Sequence, residues 1–90
     1  MTPETSHKKA IKQYLEMKGY FIYHNLQGLG CYKGLADLTA IKDGKVLQIE
    51  VKVGKKSKQS DYQKKFQKDW TEKGGGYIVG DIDSVINQIK

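Results

Sequence analysis

Leu35-Ala36-Asp37-Leu38-Thr39-Ala40-Ile41-Lys42-Asp43-Gly44-Lys45-Val46-Leu47-Gln48-Ile49-Glu50-Val51-Lys52-Val53 is the stretch on which the fold turns. Asp-Gly between two alternating apolar runs is the strongest short-range hairpin signal a sequence carries. With Asp43-Gly44 as a two-residue turn, Lys42 faces Lys45, and counting back along both arms sets Asp37 opposite Glu50. Side chains alternate along a strand, so Ile49, Val51 and Val53 point one way and Gln48, Glu50 and Lys52 the other. Two carboxylates directly opposite on one face repel each other unless a cation sits between them. The arrangement rests on the turn, because a one-residue slip would send Asp37 to the opposite face.

Upstream, Thr2 followed by Pro3 reads as an N-cap with proline at the first helical position. The helix runs to about Lys18, with His7, Ile11, Tyr14, Leu15 and Lys18 along one stripe, and Gly19 ends it. Residues 20–25 form a strand rich in aromatic and branched side chains, and residues 27–34, with Gly28, Gly30 and Gly34, read as a mobile loop. The hairpin arms are residues 35–41 and 46–53, followed by a basic loop at 54–57. Ser60 caps a second helix lasting to about Lys73, with Tyr62, Phe66 and Trp70 as its apolar stripe. Gly74-Gly75-Gly76 breaks the chain before a short strand at 77–79. Asp81 then caps a last helix carrying Ile82, Val85, Ile86 and Ile89 at i, i+3, i+4 and i+7. The order α-β-β-β-α-β-α is that of an α/β protein, a mixed β-sheet flanked by helices.

The chain of 90 residues is expected to form one domain over residues 1–90, and with 10 glycines and 1 proline nothing resembles a linker. No apolar run approaches the roughly 18 residues of a membrane span, and the first residues lack the form of a signal peptide. Cys31 stands alone and cannot form an internal disulfide, which suits the reducing cytoplasm. It reads as a small residue in a glycine-rich loop rather than a reactive thiol.

The net charge is +6, and all 16 basic residues are lysine. Seven fall in one stretch, Lys52, Lys55, Lys56, Lys58, Lys64, Lys65 and Lys68. Clustered lysine is the footprint of a phosphate-backbone binder. It is also what a solvated helix face looks like, part-neutralised by Lys65 with Asp69 and Lys68 with Glu72 at i,i+4. Without arginine, the side chain best suited to bidentate reading of guanine is missing, which argues against sequence-specific recognition.

Asp37, Glu50 and Lys52 on one face resemble a seat for a hard cation with a lysine beside it. Mg²⁺ takes oxygen ligands, keeps several waters and accepts one or two protein carboxylates. Burial and a neighbouring cation lower a lysine pKa and let it orient or deprotonate water. Together these suit attack on a phosphodiester. The same residues also read as an ordinary surface pair at i,i+2, with Asp37 capping a turn. Gln63, one turn from Phe66 and two from Trp70, lies beside the apolar stripe and needs a partner, either in such a site or from backbone at the core edge. Glu4 sits in a helical first turn, where the helix dipole favours an acid in any case.

Gly34-Leu35-Ala36-Asp37 followed by Glu50-Val51-Lys52 on the next strand resembles the core of the PD-(D/E)XK nuclease superfamily. More closely, the chain resembles the VRR-NUC domains, including small stand-alone viral ones. Ser60-Asp61-Tyr62-Gln63 matches their Ser-x-x-Gln, and Gly75-Gly76-Tyr77-Ile78-Val79 with residues 81–89 matches their glycine, short strand and closing helix. The resemblance implies a restriction-endonuclease-like fold and a DNA endonuclease using Mg²⁺ or Mn²⁺, with no organic cofactor. It implies that Asp37, Glu50 and the Val51 carbonyl ligate the metal, that Lys52 positions or activates the attacking water, and that Gln63 approaches from the helix. Glu4 falls where members of this group often place a further glutamate of the metal site. Lys33, Lys55, Lys56 and Lys58 would grip backbone phosphates. Small stand-alone members act as homodimers on branched DNA such as four-way (Holliday) junctions.

Two departures concern substrate contacts more than chemistry. Ala36 stands where the superfamily has proline, and Tyr23-His24-Asn25 stands where the family tends to carry an arginine. Lys33 or His24 could supply the missing phosphate contact, although a lone histidine at a strand end is more often structural. Two rival readings keep the fold and drop the activity or its independence. One is a non-catalytic nucleic-acid-binding module, the other a subunit whose partner protein supplies specificity.

Overall fold

The computed structural model describes residues 2–54 and 58–89. Its elements are α1 (Pro3–Met17), β1 (Phe21–His24), β2 (Leu38–Lys42), β3 (Lys45–Val51), α2 (Asp61–Glu72), β4 (Gly76–Gly80) and α3 (Ile82–Gln88), in the expected order α-β-β-β-α-β-α. The strands form one sheet in the order β1-β2-β3-β4. The first three are mutually antiparallel and β4 runs parallel to β3, with α2 as the crossover that a parallel pair requires.

The local signals act as their chemistry dictates. The Thr2 hydroxyl accepts from Thr5 N–H (3.1 Å), ahead of Pro3 at the first helical position. The Asp81 carboxylate accepts from Ser84 N–H (3.0 Å), a bond that holds the carboxyl below its ordinary range. At the hairpin, Asp43 (φ 53°) and Gly44 (φ 80°) are both left-handed, as a type I′ turn demands. Lys42 pairs with Lys45 and the ladder runs back to Leu38 opposite Ile49.

That ladder is shorter than expected on the Asp37 arm. Residues 35–37 do not join β2. Leu35 N–H turns back to Tyr32 C=O, and the Ala36 C=O accepts from the Asn25 and Gln27 side-chain amides instead of a strand partner. Asp37 N–H donates to Ile49 C=O (3.0 Å), the carbonyl already opposite Leu38. Asp37 is thus offset by one residue from the pairing that would set it squarely across from Glu50.

One face of the sheet is an ordinary core. Ile11 and Leu15 of α1 and Val85 of α3 pack on Ile22, Leu38, Ala40, Ile49, Val51 and Ile78, each large side chain worth about 1.5–3 kcal/mol of burial. The other face is polar at its centre. Asn25, just past β1, closes a ring of hydrogen bonds with Thr39 of β2 and Gln48 of β3: Thr39 Oγ1 to Asn25 Oδ1 (2.6 Å), Asn25 Nδ2 to Gln48 Oε1 (3.0 Å) and Gln48 Nε2 to Thr39 Oγ1 (3.0 Å). The helix α2 contributes no fully buried residue to this side. It is held by Phe66, whose ring lies 6.0 Å from Trp70 and 6.1 Å from Tyr77, and by Trp70 Nε1–H donating to Gly76 C=O (2.8 Å). Phe21, Tyr23 and Ile41, at odd positions of β1 and β2, stay exposed. Among the described residues, no helix is long and apolar enough to cross a membrane.

Candidate active site

Where the β2–β3 ladder ends, side chains replace backbone. Val51 N–H, the next group on β3 to turn toward β2, donates to Asp37 Oδ2 at 2.7 Å. The Val51 carbonyl points to the same side as its N–H, because both groups of a strand residue do. The second oxygen, Asp37 Oδ1, is 3.3 Å from Lys8 Nζ and 3.4 Å from Gln27 Nε2. Asp37 is therefore held by three elements: the end of β3, α1 through Lys8 and the loop after β1 through Gln27.

Glu50 is the anomaly of the molecule. It is 0% exposed, yet neither Oε1 nor Oε2 has a hydrogen-bond partner among the described residues. A buried polar group without a partner is rare in a folded protein and costs free energy, most of all when ionised. Burial accordingly pushes the Glu50 carboxyl above its ordinary 4.5; Gln59 and the Lys52 ammonium oppose the rise, while the charges of Asp37 and Glu4 add to it. Gln59 approaches Glu50 without forming a hydrogen bond to it, its Nε2 donating instead to Gln67 Oε1 (2.9 Å).

Tyr77 shares this environment. It pairs with Gln48 on the parallel strand, two residues before Val79, which pairs with Glu50, and its hydroxyl is also buried without a partner among the described residues. Burial pushes the phenol upward, and the nearby Glu50 charge pushes it further.

Lys52, one residue past β3, is half-buried; its N–H donates to Gly80 C=O (3.0 Å), which extends the β3–β4 pairing and fixes the backbone at the site. Glu4 is exposed in the first turn of α1, and its charge adds to the rise at Glu50. Of the two partners open to Gln63, a site or backbone, the structure shows backbone. It forms a capping box with Ser60, its Oε1 accepting from Ser60 N–H (2.8 Å) while its own N–H donates to Ser60 Oγ (3.2 Å). The Ser-x-x-Gln spacing carries that signal on its own. The glutamine that reaches Glu50 is Gln59, which no local pattern singles out, and the same holds for Lys8 and Gln27 at Asp37.

Of the phosphate-gripping lysines, Lys33 is exposed with its ammonium 5.1 Å over the Tyr62 ring, and Lys58 is exposed. Lys55 and Lys56 lie outside the described residues. Lys65 pairs with Asp69 at 2.6 Å on the outer face of α2, as the i,i+4 spacing implied. His24 closes β1, exposed, opposite Leu38. The other histidine, His7, accepts from Ile82 N–H (3.2 Å) and ties α1 to α3. Cys31 is half-buried in the loop after β1.

The residues fit a hard divalent cation. No group of three or more His, Cys, Asp or Glu side chains gathers at one point among the described residues. Two carboxylates, one of them buried with two unpartnered oxygens, plus a carbonyl and waters are what Mg²⁺ commonly accepts. Asp37, Glu50 and the Val51 carbonyl are the residues that would hold it.

The sequence matches no family model and no curated protein. Among solved structures, one described as a VRR_NUC domain has a TM-score of 0.84 with this chain at 24% sequence identity, covering 99% of this chain and 96% of that one. With that agreement of the backbone over nearly the whole length, this chain has the fold of a VRR-NUC domain.

Proposed function

We propose that the chain is a divalent-metal-dependent endonuclease that hydrolyses DNA phosphodiester bonds, acting by preference on branched DNA such as a four-way junction. The observation that carries this reading is Glu50: a wholly buried carboxylate with two unpartnered oxygens beside Asp37 and Lys52. A fold that keeps so costly a group is explained by a cation it serves. Bound there, Mg²⁺ or Mn²⁺ would offset the charge developing on the phosphate and make water more acidic.

The chain's own groups do the rest. Val51 N–H fixes the Asp37 carboxylate, and Lys8 balances its charge until a cation takes over that task. The Lys52 ammonium orients the attacking water and stabilises negative charge as it forms. Lys33, Lys55, Lys56 and Lys58 hold the backbone on either side of the cut, with Glu4 at the rim. With no arginine and little surface for base edges, such a protein selects DNA by shape. A homodimer would present two sites with the two-fold symmetry of a junction.

Cleavage of labelled four-way junction and matched duplex with Mn²⁺ is the direct test. Junction cutting is expected to exceed duplex cutting and to fall about 10²–10⁴-fold in Lys52→Ala, the range for losing a positioned proton-transfer group. Asp37→Asn is expected to lose as much. Absence of cleavage on every DNA tried, or undiminished cleavage in both variants, would sink the proposal. The ion pair of Lys8 with Asp37 favours one rival, a non-catalytic nucleic-acid-binding module in which lysine permanently occupies the cation's place. That module would bind DNA in a salt-dependent way and show no saturable Mn²⁺ binding by calorimetry.

A further inference from the structure

The buried, unpartnered side-chain oxygens among the described residues are three: both oxygens of Glu50 and the hydroxyl of Tyr77. They share one face of the sheet. Parallel pairing of Gln48 with Tyr77 and of Glu50 with Val79 sets Tyr77 one diagonal step from Glu50, within reach of a side chain as long as tyrosine. Phe66 packs on the Tyr77 ring and closes the space from the α2 side. Gln59, at the entry to α2, lies near both groups, and its amide favours the ionised form of each. A lone orphan would read as a packing defect. An orphan acceptor pair and an orphan donor on one face, with an amide near both, read as a hydrogen-bond set that is incomplete without a further component.

We propose that the Tyr77 hydroxyl and the Gln59 amide are positioning groups for Glu50: once a divalent cation engages one Glu50 oxygen, they donate to the other and lock the carboxylate's orientation. This rests on the nuclease reading, since it assumes the cation. The Glu50 oxygen that the cation leaves free is buried and has no hydrogen-bond partner among the described residues, so its donor must come from the protein. A tyrosine hydroxyl beside a carboxylate donates to it. Outer partners of this kind set ligand orientation and metal affinity.

Tyr77→Phe separates this role from a structural one, because it removes a single hydroxyl and preserves the ring that Phe66 contacts. In EDTA the variant is expected to melt at the wild-type temperature or up to about 8 °C higher, since it deletes a buried group with no partner. Mn²⁺ affinity by calorimetry is expected to weaken about tenfold or more. The Mn²⁺ concentration for half-maximal cleavage should rise to match, with cleavage at saturating metal largely kept. Gln59→Leu is expected to weaken affinity in the same direction. A lower melting temperature with unchanged affinity in Tyr77→Phe would overturn the inference and leave the nuclease reading intact. No saturable Mn²⁺ binding by the wild-type protein would overturn both.

Discussion

Glu50→Gln is expected to abolish saturable Mn²⁺ binding and to lower DNA cleavage by about 10³-fold or more. Metal stabilisation of transition-state charge is worth several kcal/mol, and each 1.4 kcal/mol is tenfold in rate. The same substitution is expected to make the metal-free protein more stable near neutral pH. Glutamine keeps the volume of Glu50, and a neutral amide costs less to bury than a carboxylate with no partner.

The sign of the pH dependence follows from the raised Glu50 carboxyl. At pH well below 4.5 the group is protonated in both the folded and the unfolded chain, so wild type and variant should melt alike. As pH climbs through 4.5 the unfolded chain loses this proton first, the folded state binds more protons, and wild-type stability declines. The decline stops once pH passes the folded value, leaving a fixed penalty. Melting curves in EDTA from acid to neutral pH should therefore show a gap in favour of Glu50→Gln that opens and then levels off. Mn²⁺ at a hundredfold excess over Kd should add about 2.7 kcal/mol to the wild type alone. A variant that still binds Mn²⁺, or a gap that closes with rising pH, would contradict the assignment of Glu50 as the buried ligand.

Gly34→Ala is expected to be the most damaging single methyl group that can be added to this chain. Gly34 has φ +86°, where an L side chain is strained, and a Cβ there would collide with the Tyr62 carbonyl and stand 2.9 Å from Gln63 N. The obstacle is helical backbone in the first turn of α2, held by the Ser60–Gln63 capping box, so it cannot swing aside as a flexible side chain would. Strain of about 1–3 kcal/mol for the dihedral and a similar cost for overpacking give a loss near 3 kcal/mol. For a domain of this size that is a fall of about 10–25 °C in Tm. Activity should fall with it, because Gly34 lies three residues before Asp37 and its displacement pulls on the carboxylate that Val51 N–H holds. A Tm within about 3 °C of wild type would show that the loop and α2 can part without cost.

The order of the elements was legible in the residues because each depends on near neighbours. Thr2, Ser60 and Asp81 cap helices through groups three residues away. Asp43-Gly44 sets the register of β2 on β3 because both residues adopt positive φ in a two-residue turn. Alternation along a paired hairpin places Asp37, Glu50 and Lys52 toward one side without knowledge of the rest of the chain. The first arm begins three residues later than alternation predicts, because nothing local announces that the Asn25 and Gln27 amides capture Ala36 C=O and end the ladder at Leu38.

Gln63 carries two signals at once: a place beside the apolar stripe, and the Ser-x-x-Gln spacing of the capping box that its side chain forms with Ser60. Gln59, Tyr77, Lys8 and Gln27 could not be found by spacing at all. Lys8 and Gln27 reach Asp37, and Gln59 and Tyr77 come near Glu50, from segments brought close only when the chain packs: α1 across the end of β2, the loop after β1, the approach to α2 over the polar face, and β4 beside β3 by a parallel crossover. The sequence by itself determined which residues form helices and strands, how the hairpin registers and which two carboxylates its ends bring near each other, because those depend on periodicity and turn stereochemistry. Only the tertiary structure decided that Glu50 would be sealed without a partner while Asp37 would be held by three, because solvent exclusion belongs to layers packed together and to no single element.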